Sequence, residues 1–557
     1  MARTPPAWCV VLIACLTALI VGGGCTKQPG ASPTAAPPPS EGSAPEAQGA
    51  GPAVDGDWLL SRLSNEPAHL NPLTYSDAYA AALVDLMFDT MLDRDNETLE
   101  IIPKLAEKWE VSEDHLEYTF MLRKDAVFSD GTPLTAHDVK FTFEKLMDPA
   151  TDAARLRNYY QDITSCEVVD DHAVRFTCAK PYFKHLTMLG GLSVIPRHIY
   201  GEGDFNSHPR NREPLGSGPY VFESWETGLQ ISLVRNERYW GDKPHILKRV
   251  YTIITNANAA FQVLERQELD TMGLTPEQWV NQAAGPEFEA KFNKFQYYAA
   301  FYNYVGWNQR LPQFEDKRVR RALTMLLERE TILETILYGL GEVVTGNFFI
   351  HAPEYDATIT PWPFDPAQAK RLLDEAGWVD GDGDGIRDKD GAPFQFELLI
   401  RAASPEYEAI ATVFQEELKR AGIGMSIRPL EWATFLESVD GRTYDAVILG
   451  WSGPIIEGDP YQVWHSSQAQ KGSNFVGFRD QEADGIMEKA RLEFDQEKRN
   501  GLYHRFHAIL HEEQPYTFLF CTASLQTVDK RFRGIRVYRA GLDSREWWAP
   551  ADLQRYP

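Results

Sequence analysis

The chain has 557 residues, 80 acidic against 55 basic, with a formal net charge of −25. It shows no basic stripe suited to neutralising phosphates, so nucleic acid is excluded as an expected partner. Hydrophobic residues at 43% and aromatics at 12% allow a large core, and the length suggests about three domains' worth of chain.

The first element is the apolar run Ala7 to Val21, AWCVVLIACLTALIV, preceded by Arg3 and the free amine. It is shorter than the ~20 residues of a membrane span but suits the apolar core of a secretory signal. Gly22, Gly23, Gly24 and Cys25 follow. This ending resembles a bacterial lipoprotein signal, in which the cysteine is lipidated and becomes the new N-terminus. Residues 1–24 are therefore expected to be a signal peptide. Residues 25–56, rich in Pro, Ala, Ser and Gly, cannot bury enough surface to offset chain entropy and read as a flexible tether. The expected location is extracytoplasmic, periplasmic or cell-surface, with the membrane reached only through a lipid on Cys25.

Globular sequence starts at Trp58 with the strand-like WLLSRLS, and β runs then alternate with amphipathic helices, an α/β pattern. Thr135 and Asp138 form a capping box ahead of Val139, Phe141, Phe143 and Leu146. Pro366 opens a helix through Leu372 and Leu373, with Gly377 just past its end. The apolar run YDAVILGW, Tyr444 to Trp451, reads as a strand covered on both faces. Near the C-terminus His504, His507 and His511 share one side of a helix whose other side carries Leu502, Phe506, Ile509 and Leu510, so the histidines are expected to face water.

Of six cysteines, Cys9 and Cys15 leave with the signal and Cys25 would carry lipid, leaving Cys166, Cys178 and Cys521. In CEVVDDHAVRFTC, Cys166 and Cys178 have the same parity about a turn at Asp170 to His172, which fits either a cross-hairpin disulfide or two buried thiols. Cys521 reads as a core thiol. DGDGDGIRDKDG, Asp380 to Gly391, puts Asp380, Asp382, Asp384 and Asp388 at EF-hand loop positions one, three, five and nine, with Gly385 at six. A structural calcium clip and a solvated acidic turn both fit; Gly391 stands where the bidentate Glu belongs. No other cofactor is called for. A secreted hydrolase is the rival class, but GWSGP fails the Gly-x-Ser-x-Gly elbow, and neither His-Glu-x-x-His nor a nucleotide loop occurs.

The stretch Leu105 to Leu146 carries Ala106, Trp109, Glu113, Asp114, Tyr118, Phe120, Leu122, Arg123, Phe128, Asp130, Gly131, Leu134, Thr135, Asp138 and Val139 in one pattern. In order there follow GSGPY at 216–220, RNERYW at 235–240, FQVLERQELD at 261–270, and Pro312, Phe314, Asp316, Arg318, Val319, Arg320 and Ala322. YGLG at 338–341, Asp365 to Trp378, and Phe475 to Tyr503 with Asp484, Asp495 and Arg499 complete the series. In these blocks the chain resembles family 5 of the bacterial extracellular solute-binding proteins, the receptors of oligopeptide and dipeptide ABC importers.

The resemblance implies a two-lobed periplasmic-binding-protein fold that closes on its ligand. Lobe I would comprise residues 57–77, 205–295 and 525–557, with an extra domain inserted at 78–204; lobe II would comprise 296–524. It further implies a monomeric receptor that delivers a peptide or peptide-like solute to an ABC permease. Chelated nickel, haem or an oligosaccharide are the alternative cargoes. Carried over from relatives, the carboxylate-binding arginine falls on Arg401, in LLIRAASPE. The amine-binding acid is expected shortly after Gly450 and Trp451, where this chain has Pro454, so Glu457 or Asp459 is left for that role. Asn65 and Glu66 in the 65–69 segment, Tyr304 and Trp307 in 302–308, and Trp451 are the remaining expected cleft residues. His465 is a further metal candidate.

Overall fold

The computed structural model describes residues 52–75 and 77–556. The leader, Cys25 and most of the tether lie outside the described residues. Among those described, no helix is long and apolar enough to cross a membrane.

The strands gather into three principal sheets. The first has eight strands and runs, in spatial order, through Phe292–Tyr298, Phe520–Asp529, Thr271–Gly273, Trp58–Leu63, Lys248–Ile253, Gln230–Arg235 and Tyr220–Glu226, with Gly341–Val343 also on Phe520–Asp529. Trp58–Leu63 lies parallel to both of its neighbours, and the outer pairs are antiparallel. The second has five strands, in the order Gly424–Leu430, Gln395–Arg401, Ala446–Ser452, Phe301–Trp307, Tyr516–Phe518. The third is an antiparallel four-stranded sheet of Ala106–Val111, Glu117–Leu122, Ala173–Cys178 and Ile163–Asp170.

Two antiparallel segments join the first sheet to the second. The strand Phe292–Tyr298 passes through Ala299 and Ala300 into Phe301–Trp307, and Tyr516–Phe518 passes through Leu519 into Phe520–Asp529. The Leu519 amide donates to the Asn303 carbonyl at 2.9 Å, so the two crossings are tied together where they leave the second sheet.

Local signals explain the elements that flank this frame. The Thr135 amide donates to Asp138 Oδ2 at 3.0 Å and Asp138 Oδ1 accepts from the Arg197 amide at 3.0 Å, so one carboxylate caps the helix Ala136–Met147 and holds the chain beyond it. Asp365 caps the helix Pro366–Glu375 through the Gln368 amide, and Gly377 ends it at φ +85°, where a side chain would be strained. Tyr444 to Trp451 supplies the strand Ala446–Ser452, whose first three residues are buried.

A buried ionic knot ties the C-terminal segment to the first sheet. Arg531 donates to Asp57 at 2.9 Å and to both oxygens of Asp270 at 2.6 and 2.9 Å, all buried, and to the half-buried Trp58 carbonyl.

Of the two readings left open for Cys166 and Cys178 the structure shows the buried thiols, and the expectation for the histidines fails. Cys166 lies opposite Phe176, and Cys178 opposite Ile163, because the turn pairs Asp170 with Ala173 and the irregularity at Val168/Asp170 shifts the register one residue further. The cysteines are diagonal rather than facing, both are free and buried, and burial pushes each thiol up to about 12. The helix Gln496–Glu513 is covered on both sides, so His507 is fully buried instead of facing water, and His511 stacks on Trp362 at 5.2 Å.

Candidate ligand-binding cleft

The ends of the second sheet's strands face the first lobe across a cavity of about 750 Å³, within the range of small-ligand sites. Tyr75, Tyr79 and Tyr159 contribute from the N-terminal half, and Phe301, Trp432 and Trp451 from the C-terminal half. A second cavity of about 380 Å³ shares Phe301, Arg401, Tyr407 and Trp432 with it and adds Arg62, Asn65 and Glu406.

Arg401 ends the strand Gln395–Arg401 and lines both cavities. Its Nη1 donates to the Tyr79 hydroxyl at 3.3 Å, and Asn65 Nδ2 donates to the same oxygen at 2.8 Å. Arg401 forms no ion pair with any described residue. Arg62, on the other lobe, spends its guanidinium on the Ile254 and Thr255 carbonyls, and burial lowers its pKa. Arg401 is thus the cavity's cation with charge to spare. Trp451 also lines the larger cavity, held flat by stacking on Phe475 and by donating Nε1–H to the Tyr516 hydroxyl at 3.2 Å.

Other expected contacts lie elsewhere. Glu66 accepts from Trp225 Nε1 at 2.6 Å and from the Gly228 amide, turned away from both cavities. Tyr304 is buried and stacked on Tyr516 at 3.7 Å, and Trp307 sits among Phe314, Phe396 and Phe414 with Nε1–H on Thr517. Both are core residues; Phe301 and Tyr302, nearer the start of that strand, reach the cavity instead. Glu457 forms an ion pair with Arg94 of the other half of the chain, and its side chain does not line the cavity. Asp459 lines the cavity but is saturated. Its Oδ2 takes Arg491 at 2.7 Å and the Tyr182 hydroxyl at 2.5 Å, and its Oδ1 takes the Tyr461 amide. Neither acid is free for a ligand amine, because each neutralises a buried or half-buried arginine. His465 is buried against Tyr461 and bonded to Ser467, outside the cavity lining.

In the acidic loop, carboxylate oxygens of Asp380, Asp382 and Asp384 lie within 4.8 Å of one another, all exposed. Asp388 is not among them; its Oδ2 accepts from the Gly381 amide at 2.9 Å. Asp380 accepts from the Gly383 and Gly385 amides, so the loop's own turns occupy the donor set, and with Gly391 at position twelve the EF-hand cage is incomplete.

Residues 100–473 match the model of bacterial extracellular solute-binding proteins, family 5, middle region. The chain belongs to this family. Among family-5 relatives, the oligopeptide-binding protein AppA of Bacillus subtilis is 31% identical over 517 residues, spanning 89% of this chain and 92% of that protein. Di/tripeptide-binding protein 1 of Pseudomonas aeruginosa is 28% identical, spanning 87% and 93%. The structure of AppA in complex with a nonapeptide superposes with a TM-score of 0.84 at 29% identity, covering 90% of this chain and all of that one. NikZ from Campylobacter jejuni, in complex with Ni(L-His), superposes with a TM-score of 0.79 at 26% identity, covering 88% and 99%. The two-lobed α/β fold is that of periplasmic binding proteins. Family-5 members are extracytoplasmic solute-binding proteins of transport systems.

Proposed function

We propose that the protein is a non-enzymatic receptor that captures a peptide or peptide-like solute between its lobes and delivers it to an ABC permease. The observation that carries this reading is an aromatic-walled cavity between the lobes with Arg401, free of any ion pair among the described residues, in its wall. Aromatic faces accommodate varied side chains, and a guanidinium matches a carboxylate in charge and geometry. The peptide cargo named for AppA and for the Pseudomonas relative supports the same class.

Native mass spectrometry of purified protein, with extraction of what it carries, tests the cargo. Short peptides are expected; consistent recovery of a nickel chelate, haem or sugars would overturn the peptide reading, and turnover of the cargo would overturn the receptor class. Arg401→Ala is expected to weaken binding of free-carboxylate peptides by about 1.5–3 kcal/mol, the worth of a charged hydrogen bond. Calorimetry showing unchanged affinity would remove Arg401 from the site.

The same reading places the receptor on a membrane through lipid on Cys25, where tethering raises its effective concentration at the permease. Cys25→Ala is expected to shift the protein from the membrane fraction to the soluble one. Retention of the variant on membranes would show that Cys25 is not the anchor.

A further inference from the structure

Three acids crowd the end of the cavity near the 452–460 loop, and two are already neutralised: Glu457 by Arg94, and Asp459 by Arg491. The third is Glu354, which lines the same cavity and is 1% exposed. Its Oε1 accepts from the Glu457 amide at 2.6 Å, while its Oε2 is buried with no hydrogen-bond partner. Lys184 is buried but forms no ion pair with Glu354. A buried carboxylate oxygen without a donor is costly, and native structures rarely leave one unexplained.

The surroundings hold this carboxylate in place. On one side of Glu354 the Pro353 carbonyl accepts from His504 Nε2 at 3.0 Å; on the other, the Asp356 amide donates to His507 Nδ1 at 3.1 Å. The Tyr355 hydroxyl meets Thr345 through both its amide and its Oγ1. Three successive anchors on Pro353, Tyr355 and Asp356 therefore fix an otherwise irregular segment against the helix Gln496–Glu513 and the strand end beside it. Glu457 adopts a left-handed φ of +57°, a conformation disfavoured for its side chain, and its amide is the group that reaches Glu354. The last torsion of a glutamate is broad, which leaves the carboxylate free to rotate while its backbone stays in this seat.

We infer that Glu354 is the acid that receives the ammonium group of the ligand, in place of the acids of the loop after Gly450 and Trp451. This rests on the peptide reading above and goes beyond it by naming a positive group on the ligand and the residue that selects it. An α-amine and a lysine side chain offer the same chemistry, so the probes separate them.

Calorimetry would use tripeptides to nonapeptides of Ala, Ser and Gly in three forms: free amine, N-acetylated, and N-acetylated with one internal Lys. Wild type is expected to prefer one ammonium-bearing form over the plain acetylated form by about 10- to 100-fold, and Glu354→Gln to abolish that preference. Preference for the free-amine form assigns the α-amine; preference for the lysine form assigns the side chain. Glu354→Asp, which keeps the charge, is expected to retain part of the preference. A preference that survives Glu354→Gln, or no preference in wild type while peptides still bind, would overturn the assignment and leave the peptide reading intact. Binding of no peptide by either protein would overturn the peptide reading and the assignment with it.

Discussion

Replacing Arg531 by alanine is expected to destabilise the protein by about 3–5 kcal/mol, the cost of stranding buried charge. Arg531 is 5% exposed and stands between Asp57 and Asp270, exposed to 0% and 1%. Its guanidinium bonds Asp57 Oδ2 and both Asp270 oxygens, so the substitution leaves two carboxylates inside the core facing a void. Arg555 lies 3.4 Å from Asp270 but is also bound to Asp529 and partly exposed, so it cannot take over. Burial already pushes the Asp270 carboxyl up to about 7, against the pull of Arg531 and the Leu60 amide. Without Arg531 that carboxyl moves higher still, and a proton then relieves the buried charge. The variant's loss is therefore fully expressed only above its own further-raised value, and it shrinks as pH falls toward about 7, where wild type takes up the same proton. Chemical denaturation of wild type and variant at about pH 8 and about pH 5 checks both parts. A loss under about 1 kcal/mol at the higher pH would show that water reaches these carboxylates.

The knot also shows which parts of the molecule a sequence can disclose. Helix caps such as Thr135 with Asp138, and Asp365 before Pro366, act over three residues and were legible. The family blocks fixed the two-lobed fold, because their order spans the whole globular chain. Arg401 and Trp451 were legible as strand ends, where a strand's last residues meet a cleft. Tyr304 and Trp307 were misplaced because the strand Phe301–Trp307 is buried on both faces. Its residues show no period of two, and distance along the strand, rather than face, decides which ring meets the cavity. The partners that occupy Glu457 and Asp459 could not be read locally. Arg94 lies 363 residues from Glu457, and Arg491 lies 32 from Asp459. Glu354 carries no signal at all, since it sits in an irregular segment ordered only by contacts with a distant helix. The choice between a cysteine pair and two thiols could not be read either, since the position of the hairpin turn and each irregular residue beyond it reset which side chains face one another.

His507 is the residue through which that distant helix becomes sensitive to pH. Its Nδ1 accepts the Asp356 amide, so the ring proton sits on Nε2, 2.9 Å from Thr345 Oγ1. Burial first, then the neighbouring His511, lowers its pKa to about 4, with Thr345 and Asp356 opposing. A folded-state value below the ordinary ~6.5 means that the unfolded chain takes up the proton more readily. The stabilisation is complete above about pH 6.5 and is lost as pH falls toward 4, by up to about 3 kcal/mol. Protonation also puts a hydrogen on Nδ1, where the Asp356 amide now donates, so the anchor beside Glu354 is broken along with the fold's reserve. The expected result is that the stability gap between wild type and His507→Gln narrows steadily from about pH 7 to about pH 4. Over the same range, the Asp356 amide should lose hydrogen-exchange protection in wild type ahead of the sheet amides, because a local anchor opens before the core does. A gap that stays constant with pH would mean that His507 is protonated in the folded protein at no cost, and the buried neutral ring would have to be abandoned.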